Sequence, residues 1–291
     1  MRKTIYLILP ALVCFAGCDV KDPIYNTAHP DHGTVTLTTD WSGIDKSIQV
    51  PESYTAEADG YSSALSGTTN TLDHLFEPGI HRIHVYNTPE HISFVGSTAT
   101  VAEASGNADG AGKFVEKMPG WLFTCAMDAT LEKDTDHALT APMQQQVRQL
   151  TLVLELTGGT TDRIAGIEGY LSGAAATLDF DKGEHGMPSN VELNFTKITS
   201  GADEGKWAVT VRLLGVAGAQ QQLNALIRFT GDNPAPVTLA SDLSTELATF
   251  NADKATPRTL GGTVVETPTG VGFGATITDW ETVMRDPIVA E

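Results

Sequence analysis

Leu150, Leu152, Leu154 and Leu156 take every second position of one short segment. That spacing gathers four leucines on one face of an extended strand and would scatter them around a helix. Similar strand-like runs precede it, at residues 34–38, 54–58, 61–65, 80–86, 92–95, 121–127 and 138–140, and follow it, at 164–171, 176–180, 191–198, 207–214, 223–229, 259–266 and 273–280. Gly, Pro and Asn separate them at roughly the 8–12 residue rhythm of a sandwich or barrel. About one residue in eight is threonine, a β-branched type that suits a half-buried pleated surface. The fold class read from these features is all-β and mostly antiparallel. One segment departs from the pattern: at 241–250, Ser241 stands as an N-cap and Leu243, Leu247 and Phe250 follow at i, i+4 and i+7, which predicts one short helix.

A polar break at residues 142–146 divides the chain into a first unit, 33–145, a second, 146–281, and a tail, 282–291. Each unit is of ordinary domain size. A short echo, Val35 to Trp41 against Ala275 to Trp280, links the two ends.

The N-terminus reads as an export signal. Arg2 and Lys3 precede an apolar run over 5–17, too short for a bilayer that needs about 20 residues. Phe15, Ala16, Gly17 and Cys18 then resemble the bacterial lipobox, which makes 1–17 a signal peptide, Cys18 the lipidated N-terminus, and the polar, proline-bearing 18–32 a tether. Cys14 leaves with the signal and Cys18 carries lipid, so Cys125 stands alone and no internal disulfide forms. Cys125 lies in an apolar strand-like run without an adjacent base, where a thiol behaves as a small hydrophobe.

Charge and motif content exclude several functions. The full chain carries 18 basic against 36 acidic residues, a net charge of −18, with no basic cluster to neutralise phosphates; nucleic acid is not an expected partner. His81 and His84 at i, i+3 fall on opposite faces of a strand and cannot share a metal ion, so solvated surface roles are expected for them. Residues 179–184 start like a calcium loop but lack its later ligands and read as a charged hairpin turn. Ser172 is one place late for a nucleophile elbow, and the glycine pairs at 158–159 and 261–262 lack a phosphate cradle's Lys. The expectation is a non-enzyme with no catalytic residue, metal site or cofactor.

A set of segments in fixed order carries a family resemblance: Cys18 to Tyr25, His29 to Gly33, Thr38 to Trp41, Leu75 to Gly79, Tyr86 to Thr88, Pro119 to Phe123, Met143 to Leu150 and Ile277 to Trp280. Together they resemble the fimbrillin-associated anchor lipoproteins of Bacteroidetes, the base subunits of type V pili. The resemblance implies two tandem transthyretin-like (Ig-like) β-sandwiches and an acylated Cys18 on the outer membrane, surface-exposed. The implied partners are fimbrial shaft or accessory subunits. Shaft subunits of that superfamily lose an N-terminal strand to an Arg-specific protease. Here the first Arg after Cys18 is Arg82, deep in the first unit, so the strand around Val35 and Leu37 is expected to stay and fill its own groove. The chain would then offer a strand from its C-terminal stretch, 273–289, with Val283, Ile288 and Val289 as partner-binding residues. A shaft or tip fimbrillin, or a glycan-binding surface lipoprotein with exposed Trp, are the alternatives.

Overall fold

The computed structural model describes residues 28–108, 112–158, 161–231, 234–269 and 272–283. Twelve strands precede residue 146: β1 (Gly33–Asp40), β2 (Ser53–Ala58), β3 (Tyr61–Ser66), β4 (Thr69–Thr71), β5 (Gly79–Tyr86), β6 (Ile92–Val95), β7 (Thr98–Val101), β8 (Glu103–Ala104), β9 (Phe114–Val115), β10 (Phe123–Leu131), β11 (Thr135–Pro142) and β12 (Gln144–Gln145). Eight follow: β13 (Arg148–Thr157), β14 (Ile164–Asp179), β15 (Glu184–Lys197), β16 (Trp207–Leu213), β17 (Gln222–Phe229), β18 (Val237–Asp242), β19 (Arg258–Thr269) and β20 (Gly272–Thr282). The chain is all-β, as its alternation predicts.

In the first half, a sheet ordered β11-β1-β4 faces one ordered β12-β10-β5-β2-β3. Alternation along β1 sends Val35 and Leu37 inward, where they meet Tyr54, Phe76, Ile83, Val85, Phe123 and Leu131. Asp59 and Gly60, both at positive φ (50° and 83°), close β2 onto β3 as a two-residue turn whose twist matches the strands.

The second half is built on one long path, β18-β17-β14-β15-β16-β13-β19-β20, wrapped around a core that includes Leu150, Leu152, Leu154, Leu193, Phe195, Val211, Leu223 and Phe250. Its end strands, β18 and β20, lie side by side without backbone pairing. Trp280 Nε1 donates to Ser241 Oγ across that seam at 2.9 Å. Asp279 makes the reach possible: at φ 57°, it forms a bulge opposite Gly262, and Trp280 packs where a Gly262 Cβ would stand.

Two expectations change, and two further features come from the tertiary structure alone. The segments 164–171 and 176–180 are one strand, β14, because Gly173 at φ 76° absorbs a bulge between Leu171 and Ala174. The helix at 241–250 does not form. Ser241 ends strand β18, and the chain then runs through turns with one i→i−4 bond, Leu247 N to Leu243 O, followed by i→i−3 bonds such as Phe250 N to Leu247 O. Leu243, Leu247 and Phe250 are nevertheless fully buried, so the spacing reported a buried face rather than a helix. The one helical element among the described residues is a 3-10 turn, Thr161–Arg163. β13 is buried on both faces: Thr151, opposite the leucines, is 1% exposed and shares a hydrogen bond with its cross-strand partner Thr210 on β16. Finally, hydrogen bonding crosses the break at 142–146. β7 pairs with β14 and β9 with β15, so the tip of the second half's long hairpin is seated on strands of the first half.

Candidate functional site

The residues expected to meet a partner or the membrane lie at the two ends of the chain. Cys18, Ile288 and Val289 are outside the described residues. Val283 directly follows β20; its backbone N–H donates to Thr259 O at 3.0 Å and its half-buried side chain lies over Gly261. It borders a groove of about 400 Å³ along β13, β19 and β20, with Glu155, Asp203, Asp279 and Glu281 around Lys206. Lys206 pairs with Glu155 at 3.0 Å and Asp203 at 3.1 Å, which raises its pKa. β20 is paired with β19 as far as Thr282, so residues 272–282 complete the long sheet.

At the other end, β1 sits in the middle of its sheet. It runs parallel to β11 over its whole length and antiparallel to β4, with Val35 and Leu37 at 0% exposure. Arg82 lies within β5, where Nε donates to Asp181 Oδ1 at 2.6 Å and a terminal nitrogen pairs with Asp128 at 3.1 Å. His84 Nε2 lies 2.9 Å from the same Asp181 oxygen, and the His84 and Arg82 contacts hold that carboxyl below its ordinary range.

Strand addition needs an edge with free backbone groups. The hairpin at Asp59 and Gly60 makes Ala58 and Tyr61 a hydrogen-bonded pair, so by antiparallel alternation Ser62, Ala64 and Ser66 turn their backbone groups away from β2. Ser66 O is taken by Asn70 Nδ2 at 3.0 Å. Residues 61–72 contain no charged residue and no proline, the usual guards of an edge. Sequence reasoning found β3 but missed this; the twelve-residue gap in charge was the available signal.

Nucleophilic and metal chemistry gain no support from the geometry. Cys125 is buried in the first core, and burial pushes its thiol up to about 11. His81 and His84 do face apart, but His81 is buried at 6% rather than solvated: Asp59 and the Glu77 carbonyl hold its ring against Phe76. His29 pairs with Asp136 and His32 with Glu77, and among the described residues no three His, Cys, Asp or Glu converge as a metal set. None of the four Trp is exposed: Trp41 packs on Phe123, Trp121 lies under Arg212, Trp207 is in the second core, and Trp280 closes the seam. No helix among the described residues is long and apolar enough to cross a membrane.

No protein-family model matches the chain, and no curated protein matches it in sequence. Solved structures do share its fold. A candidate adhesin from Bacteroides ovatus aligns with a TM-score of 0.58 at 16% identity, covering 84% of this chain and 92% of that one. A second from the same organism reaches 0.56 at 10%, covering 87% and 96%. The fimbrial anchor protein Mfa2 from Porphyromonas gingivalis aligns at 0.54 and 10%, covering 86% and 97%.

Proposed function

We propose that this chain is an outer-membrane lipoprotein, held at the cell surface by lipid on Cys18, that anchors or initiates a fimbria by non-catalytic strand pairing between subunits. Its two halves are read as tandem transthyretin-like sandwiches. The fold shared with a fimbrial anchor and with candidate adhesins supports the adhesive class.

The observation that carries the anchor reading is the place of β1. Val35 and Leu37 are core residues between two partner strands, and the first Arg after Cys18 lies within β5 of the opposing sheet. Cleavage at Arg82 would remove β1 to β4 together and leave no sandwich for a donor strand to complete. A chain that keeps β1 keeps the lipid upstream of it. Its contribution to assembly is then an offered strand, and with β20 committed to β19 the offer falls to Val283 and the residues after it, including Ile288 and Val289. The buried or engaged Trp residues weigh against a glycan platform.

Cys18→Ala and a truncation after Val283 test this. Fractionation should find the full-length Cys18→Ala protein outside the outer membrane, because no other attachment is proposed. The truncated protein should fold and stay anchored yet fail to hold shaft subunits at the surface. Membrane retention of Cys18→Ala overturns the lipid anchor, and shaft capture by the truncated form overturns the donor tail.

A further inference from the structure

A cavity of about 560 Å³ lies where the two halves meet, bordered by Gln144, Gln145, Gln146, His185, Asp253 and Lys254. Lys254 is 8% exposed and forms no ion pair among the described residues. Its ammonium instead spends three donors on three neutral acceptors: His185 Nε2 at 2.8 Å, Gln146 Oε1 at 3.0 Å and Leu214 O at 3.3 Å. Those acceptors come from the β14–β15 hairpin, the link between halves and the end of β16.

The two glutamines extend the cluster into the first half. Gln146 Nε2 donates to Thr124 Oγ1 of β10 at 2.8 Å. Gln145 Oε1 accepts from Asp45 N at 3.1 Å, while its Nε2 donates to Lys254 O at 2.7 Å and Val147 O at 2.9 Å. The site is shaped for the imidazole: a Cβ at Gly215 would fall 2.3 Å from the His185 ring.

We infer that this cluster is an acid-released lock on the angle between the two halves. An imidazole nitrogen that accepts from an ammonium must be unprotonated. Protonating His185 would bring two cations within hydrogen-bonding distance, Lys254 buried and His185 half-buried, with no carboxylate bonded to either among the described residues, and solvating them by opening the joint relieves that. Burial, then the charge on Lys254, pushes His185 from 6.5 down to about 4; burial alone pushes Lys254 from 10.5 down to about 7. In the opened joint both regain their ordinary values. The closed form therefore loses stability as pH falls from 10.5 toward 7 through Lys254, and again from 6.5 toward 4 through His185, so both groups favour opening in acid.

Neighbouring charges are occupied elsewhere. Arg148 donates to Thr256 O and Phe250 O, Asp253 accepts from Thr256 N, Asp181 binds Arg82 and His84, Asp179 binds Lys182, and Glu184 is exposed. The hairpin tip stays seated through the β7–β14 pairing and the packing of Tyr86 and Phe94 on Phe180. Opening is thus a swing about the tip that leaves the two larger cores intact and loosens the cluster of Leu122, Val147 and Leu214 between them.

Amide hydrogen exchange on the full chain at pH 8 and pH 5, corrected for intrinsic rates, tests the lock. The Asp45 amide, held by a Gln145 side chain that is fixed across the joint by its bond to Lys254 O, should exchange at least about tenfold faster at pH 5 once that tie is lost, while amides of β13 and β7 hold their protection. His185→Gln, whose amide oxygen can still accept from Lys254 but cannot be protonated, should leave only the Lys254 share of the response, gained above pH 7, and none between pH 6.5 and pH 5, and Lys254→Met should shrink the whole. An Asp45 amide indifferent to pH, equal loss of protection in β13, or a wild-type response in His185→Gln would each overturn the inference. If neither variant folds, the wild-type midpoint decides: it must lie between 4 and 6.5, the His185 window.

Discussion

Sheet edges in the first half end in the open, at β3 and β4, whereas the ends of the long sheet in the second half lie against each other and are tied by Trp280 to Ser241. The cores differ in the same sense. Among the described residues, 25 buried apolar side chains form the second core and 16 the first, so the larger core also has the covered edges. A third cluster, with Tyr86, Leu122, Val147, Leu178 and Phe180, binds the two. The contrast teaches that stability and open backbone edges need not be spread evenly. A half that hides its backbone can be a rigid support, while a half with an unguarded edge keeps the capacity to pair with another chain.

The sharpest way to break this comparison is to damage the larger core. Leu152→Ala, at a position of 0% exposure, should lower the unfolding free energy by about 2–5 kcal/mol in denaturant titration. Thr151→Ala on the other face of β13 should cost about 1 kcal/mol, because it leaves the Thr210 hydroxyl without its partner. Equal shifts would mean that the leucine face of β13 is packed no more tightly than its threonine face. Next in size is the seam. Trp280→Phe keeps an aromatic ring but loses the indole N–H and its bond to Ser241, and should cost at least about 1 kcal/mol while raising amide exchange in β18. Unchanged β18 protection would show that the seam is held by packing alone. Smallest in stability is Ala64→Lys on the exposed face of β3. It should change the unfolding free energy by less than about 0.5 kcal/mol yet reduce edge-to-edge association measured by light scattering at high concentration. If association is unaffected, β3 is not an available edge and the contrast between halves is one of core size only.

The strand alternation was legible because period two is written locally: β1, β2, β5, β13, β16 and β17 stand where their apolar residues repeat. The short strands β4, β7, β8, β9 and β12 left no such mark, since two to four residues carry too little pattern and owe their extension to a neighbour's backbone. At 241–250 a correct periodicity produced a wrong element. The spacing of Leu243, Leu247 and Phe250 demands a buried face, and a series of turns meets that demand as well as a helix does.

Among functional residues, the placement of Arg82 within the first half and the thiol character of Cys125 could be read from neighbours in sequence. Lys254, His185, Gln145 and Gln146 could not. They stand up to 109 residues apart, and each alone reads as an ordinary surface side chain. Sequence fixes which residues must be buried and in what local conformation, because apolar period and turn chemistry act over a few residues. Tertiary structure decided which edges stay open, which strands cross the break at 142–146, and where an unpaired lysine meets a neutral histidine. Those depend on contacts between distant segments, whose strength comes from the desolvation that only the assembled fold creates.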